Sequence, residues 1–134
     1  MATIAWVVLC ESMFRDDTGR LSLLGIADHL PVPSLPLVLV DHLVVARIMS
    51  DAAPEDLDLA FGVRTPSGCW VTPSSDDAAR VVISGDYLII SLQTLPLREE
   101  GVYRFEVSLG SGSRASVEVP VWLTTVEQPP LQIH

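Results

Sequence analysis

Apolar residues recur along this chain in short runs of Val, Leu and Ile, either alternating or continuous, and no stretch keeps helical spacing over a useful length. Ten prolines and eight glycines break the runs at short intervals. The pattern predicts many short strands between turns, the mark of a sandwich or barrel. Strands are expected at Thr3 to Cys10, Arg20 to Asp28, Leu37 to Met49, Leu57 to Thr65 and Cys69 to Thr72. Further strands are expected at Arg80 to Ser84, Tyr87 to Leu95, Val102 to Leu109 and Arg114 to Thr124. Leu57, Leu59, Phe61 and Val63 alternate with outward Asp58 and Arg64, and Tyr103, Phe105, Val107 and Leu109 alternate with Arg104, Glu106 and Ser108. Arg15-Asp16-Asp17-Thr18-Gly19, Gly85-Asp86 and Gly110-Ser111-Gly112 supply reversals. The proline-rich segment Leu30 to Pro36 lacks donors for a regular ladder and reads as an extended crossover. Residues 1–126 read as one domain, with Glu127 to His134 a loose tail.

The later strands show one polar face, as a solvated sheet should, but the first three do not. Strand one offers Ile4, Trp6, Val8 and Cys10 on one side and Ala5, Val7 and Leu9 on the other. Trp6 reads as core, which turns Ala5, Val7 and Leu9 outward. Strand two sets Leu21 and Leu23 against Leu24 and Ile26, and strand three is apolar on both sides apart from Asp41, His42 and Arg47. If these strands share a sheet, its outer face needs cover. Ala5, Val7, Leu9, Leu24 and Ile26 are therefore the candidate interface residues, for self-association or for a protein partner. The alternative is a loop of the same chain, such as the crossover or the tail, lying over them.

The most specific motif is Leu97-Arg98-Glu99-Glu100-Gly101-Val102-Tyr103-Arg104-Phe105. Glu99, Gly101 and Tyr103 have the spacing of the tyrosine corner of immunoglobulin-like sandwiches, in which the tyrosine hydroxyl bonds back to the turn and the ring caps the core. Phe105 stands where antibody domains carry a cysteine. The chain also resembles, end to end, a family of small uncharacterised bacterial cytoplasmic proteins. The shared residues are Ala5-Trp6, Leu9-Cys10-Glu11, Leu21-Ser22-Leu23-Leu24-Gly25-Ile26 and Gly101-Val102-Tyr103-Arg104-Phe105-Glu106-Val107. The resemblance implies an all-β, immunoglobulin-like or C2-like antiparallel sandwich of about seven to nine strands. It brings no activity and no functional residues.

Composition narrows the function. The chain has 134 residues, a net charge of −9 and a hydrophobic fraction of 49%, with a positive mean hydropathy of +0.40. All eight basic residues are arginine, and lysine and asparagine are absent, as a GC-rich genome would encode. The negative field disfavours nucleic acid. No apolar run is long enough to cross a membrane as a helix. The start Met1 to Cys10 reads as a strand, since no basic residue precedes the run and Leu9 sits where a lipoprotein signal needs a small residue. A cytoplasmic location with two reduced thiols, Cys10 and Cys69, is expected.

Chemistry is sparse, and no enzyme and no cofactor are expected. No Gly-x-Ser-x-Gly elbow, zinc-ligand spacing or phosphate loop is present. His29 and His42 each follow an aspartate, Asp28 and Asp41, but adjacent strand residues point to opposite faces, so no ready Asp–His dyad is expected. The acidic loops carry Asp16, Asp17, Asp51, Glu55 and Asp56, candidate Ca²⁺ ligands should they gather at one rim of the sandwich. Trp122 is the one tryptophan expected to face outward, a thin basis for a sugar-stacking platform. The expected function is a non-catalytic interaction or assembly module, with a small-ligand or Ca²⁺-binding module as the alternative.

Overall fold

A computed structural model describes residues 2–49, 58–71 and 79–124. Among these, the chain forms strands and no helix. They are β1 (Thr3–Cys10), β2 (Ser12–Arg15), β3 (Leu21–Leu24), β4 (Leu30–Val32), β5 (Leu37–Leu39), β6 (His42–Met49) and β7 (Ala60–Arg64). They continue as β8 (Trp70–Val71), β9 (Ala79–Ser84), β10 (Tyr87–Leu92), β11 (Leu95–Leu97), β12 (Gly101–Ser108) and β13 (Arg114–Leu123). One sheet runs β1-β6-β10-β9 and the other β4-β13-β12-β7-β8, with two small two-stranded sheets, β2-β3 and β5-β11. If β1, β6, β7, β9, β10, β12 and β13 are lettered A to G in chain order, the sheets read ABED and CFG. That is the strand order of an immunoglobulin-like sandwich.

The core lies between the two sheets. Val44, Ala46 and Ile48 of β6 and Leu88, Ile90 and Leu92 of β10 face Tyr103, Phe105 and Val107 of β12 and Val119 and Val121 of β13. Their period-2 spacing is what a strand buried on one face requires. Truncating a residue such as Phe105, fully buried here, costs about 3–5 kcal/mol in a core of this kind.

Strand β1 departs from simple alternation. Ile4 pairs with Ile48 but Trp6 pairs with Arg47, so Ala5 is the extra residue of a β-bulge. Ile4, before the bulge, and Val7 and Leu9, after it, all pack on the core. This corrects the outward placement of Val7 and Leu9: both are core residues, and only Ala5 of that set is exposed. Trp6 is corrected in the opposite sense. It lies on the outer face of the first sheet, 5.9 Å from the Tyr87 ring.

That outer face has its own buried layer. Cys10, Val45 and Ile89 are buried, and register with their neighbours places them away from the core side. The β2-β3 hairpin covers them. Arg15 donates to the carbonyl and hydroxyl of Ser84 and sits over the Tyr87 ring, which carries the hairpin across the sheet. Among the described residues the cover is the hairpin and not the crossover, which pairs with β13; the tail Glu127 to His134 lies outside the described residues.

Three further expectations change. The long strand Leu37 to Met49 is two strands, split where Asp41 adopts a positive φ of 56°. The strand Tyr87 to Leu95 ends at Leu92, and Leu95–Leu97 pairs separately with β5. The crossover forms β4, which runs parallel to β13 as an edge strand and so tolerates Pro31.

Candidate functional site

The tyrosine corner is built at the start of β12. The Tyr103 hydroxyl donates to the Glu99 carbonyl at 2.9 Å and accepts from the N–H groups of Arg98 and Glu99 at 3.3 Å each. Gly101 has a φ of 130°, and a Cβ there would lie 2.6 Å from the Pro66 side chain. The position thus needs glycine for backbone and for space. The Glu99 carboxylate is not part of the corner. It accepts from the Ser67 hydroxyl at 2.8 Å.

Beside this corner an open groove of about 470 Å³ is lined by Ser67, Cys69, Pro96, Arg98, Glu99 and Tyr103, among others. Its polar groups are engaged with one another: the Thr65 hydroxyl lies 3.1 Å from that of Ser67 and accepts from the Cys69 N–H. No histidine lines the groove, so the exposed Cys69 thiol has no base beside it there. Cys10, the other free thiol, is buried under the hairpin, and burial pushes its pKa up.

The histidines differ from expectation in one case. His29 Nδ1 lies 2.8 Å from Asp28 Oδ1, so this pair does meet. The two residues precede β4 in irregular backbone, where the opposite-face rule for strands does not apply. The His29 ring also stacks on Trp122, with centroids 5.1 Å apart and planes 4° from parallel. Trp122 does face outward, but His29 occupies one side of its ring. His42 begins β6, and its Nδ1 lies 2.9 Å from the Val40 carbonyl oxygen.

Of the Ca²⁺ candidates, Asp51, Glu55 and Asp56 lie outside the described residues. Asp16 organises its own turn. Its Oδ1 accepts from the Thr18 hydroxyl at 2.6 Å and from the N–H groups of Thr18 and Arg20, and its Oδ2 accepts from Arg20 Nε. The Thr18 hydroxyl bond, with the Arg20 N–H behind it, holds this carboxyl below its ordinary value. Asp17 is exposed beside it. Among the described residues, no three His, Cys, Asp or Glu side chains gather to hold a metal ion.

The apolar surface is more coherent. In the hairpin, Met13 pairs with Leu23 and Arg15 with Leu21, and this side faces the sheet. Ser12 pairs with Leu24 and Phe14 with Ser22, which turns Phe14 and Leu24 outward together. Of the candidate interface residues, Leu24 and Ile26 are exposed, and Phe14, which the sequence pattern assigns to no strand, joins them. On the open edge of the same sheet, Val81, Val82 and Ile83 of β9 are exposed too.

Strand order and tyrosine corner together define an immunoglobulin-like sandwich with a hairpin laid over its ABED sheet. The chain matches a family of unknown function (DUF6941) over residues 5–121, and it belongs to that family. No match was found among curated proteins. Among solved structures it is similar to the M1 domain from titin, at 11% identity over 75% of this chain and 91% of that one, with a TM-score of 0.40.

Proposed function

We propose that this domain is a protein-interaction or assembly module that works through the apolar surface on its ABED side. A family of unknown function with this fold is compatible with a non-catalytic module. One observation carries the reading further. Phe14, Leu24 and Ile26 are 50%, 51% and 56% exposed, although hairpins normally set polar side chains on their solvent face. Grouped apolar side chains in water mark contact sites more often than single ones do. The partner is a protein or a second copy of this chain, neither nucleic acid nor membrane, and no cofactor is required.

The test is the mass of the chain in solution against that of a Phe14→Asp, Leu24→Asp double variant. Loss of an assembly in the variant, with the thermal transition kept, supports this surface. An assembly that survives both that variant and charge placed on β9 overturns the reading. No specific observation favours the small-ligand or Ca²⁺ alternative.

A further inference from the structure

The two-stranded ribbon β5-β11 pairs with neither of the main sheets. Its register sets Leu95 against Leu39, Pro96 against Val38 and Leu97 against Leu37. Leu39, Leu95 and Leu97 are buried, which leaves the alternate positions to face water. A polar side is expected there, and it is absent. Val38 is 52% exposed, and Pro36 and Pro96 are exposed beside it. With Leu37 and Arg98 they line an open groove of about 480 Å³. Neither proline offers an N–H, so a strand added along this surface would meet a broken ladder. The groove suits an extended segment that needs no ladder, as adjacent prolines provide.

The end of β13 leads toward this groove. β13 runs parallel to β4, with Leu123 beside Val32. The Thr124 N–H and hydroxyl both bond to the Val32 carbonyl, at 2.9 and 3.4 Å. The chain therefore leaves β13 alongside the segment that continues through Pro33, Ser34 and Leu35 to Pro36. On its other flank, the Leu123 N–H donates to Glu100 Oε2 at 2.8 Å, and Arg98 of the groove lies two residues before Glu100. From Val32 to Pro36 the backbone spans at most about 14 Å. Residues 125–134 read TVEQPPLQIH, and the five steps from Thr124 to Pro129 cover about 15 Å at ~3.1 Å each.

We infer that residues 125–134 return in cis along the β4 side and lay Pro129, Pro130 and Leu131 in the groove of Pro36, Val38 and Pro96. The reach brings the two prolines onto the groove. Their φ angles are fixed before docking, so ordering them costs less chain entropy than ordering other residues would. Leu131 then meets a lining that is apolar apart from Arg98. A segment tethered this close has an effective concentration on the order of millimolar, so a weak contact is enough to keep it seated. The groove is thereby a site for a proline–leucine segment, and any external ligand of that kind must displace the chain's own. This inference is independent of the assembly reading above.

The test is methyl NMR on the full chain with labelled valine. Leu131→Asp should move the Val38 methyl resonances and leave those of Val81, in the other sheet, in place. The synthetic peptide TVEQPPLQIH should bind the Leu131→Asp chain about tenfold or more tightly than the unmodified chain, whose groove is already filled. Val38→Asp, an exposed substitution, should abolish that binding, and Pro96→Ser on the facing strand repeats the test if Val38→Asp does not fold. Val38 resonances that ignore Leu131→Asp overturn the inference. So does a peptide that binds both chains equally or neither, or that still binds when the groove is altered. Mixing labelled Leu131→Asp chain with unlabelled unmodified chain should leave the Val38 resonances where that substitution put them. Their return to the unmodified positions would seat the segment of a second copy and overturn the docking in cis.

Discussion

Arg15 Nη2 donates to the Ser84 carbonyl oxygen at 3.0 Å and to the Ser84 hydroxyl at 3.1 Å, joining the β2-β3 hairpin to the turn between β9 and β10. At the other end the hairpin is tied by Glu11 N–H to the Leu24 carbonyl and by Ala27 N–H to the Leu9 carbonyl. Between these ties lie Cys10, Val45 and Ile89, buried on the face that would otherwise meet water. The hairpin is a strap on an otherwise regular sandwich, and Cys10 reports on whether it is closed.

Arg15→Ala should loosen the strap before it unfolds the domain. Losing bonds worth roughly 1–1.5 kcal/mol raises the open population by about tenfold. In a Cys69→Ser background, the rate at which a disulfide reagent labels Cys10 should rise by about that factor while the thermal midpoint moves little. An unchanged rate would mean that the hairpin stays shut without Arg15.

Burial under the same strap gives a pH signature. Cys10 has a pKa above the ordinary thiol value of 9.0 because the thiolate is desolvated. The folded state therefore holds this proton more tightly than the unfolded chain does. Its contribution to stability is complete below pH 9.0 and is lost as pH rises through the raised folded value. Denaturation midpoints of Cys10→Ala should consequently fall less steeply above that pH than those of the unmodified chain. Parallel slopes would contradict a buried, protonated thiol.

The bulge at Ala5 separates two neighbouring positions sharply. Val7→Glu buries a carboxylate in the core and should cost several kcal/mol, roughly 3 or more, enough to unfold a domain of this size. Ala5→Glu, at the exposed bulge, should shift stability by no more than about 0.5 kcal/mol. Thermal unfolding of the two variants checks both, and equal effects would place the bulge elsewhere.

Strand positions were legible in the sequence for the last two strands, where one face is polar, but the strand expected from Leu57 starts only at Ala60 among the described residues, after Asp58 takes a positive φ of 49°. Val102 to Leu109 and Arg114 to Thr124 are found within a residue of expectation, because Arg104, Glu106 and Glu118 label the solvent side. The direction of β1 was not legible. Both of its faces are buried, one by the core and one by the hairpin, so apolar residues on both sides leave alternation without a sign. The bulge then shifts Val7 and Leu9 onto the face of Ile4. β2 was hidden because Ser12-Met13-Phe14-Arg15 is too short to show a period. The Asp28–His29 contact was missed because it belongs to irregular backbone.

Tyr103→Phe should destabilise the domain without altering its surface. The hydroxyl has three backbone partners around Arg98 and Glu99, and removing it leaves part-buried polar groups unmatched at a cost of roughly 1–2 kcal/mol. Urea unfolding should show a lower midpoint at unchanged slope. An unchanged midpoint would mean that the corner is ornamental.

The central claim is that the apolar ABED side of this sandwich is a contact surface, and the most direct measurement is absolute mass in solution by light scattering over a range of concentration. A stable mass of twice 14.5 kDa is the predicted result. A single-chain mass at every concentration would contradict self-assembly through this face.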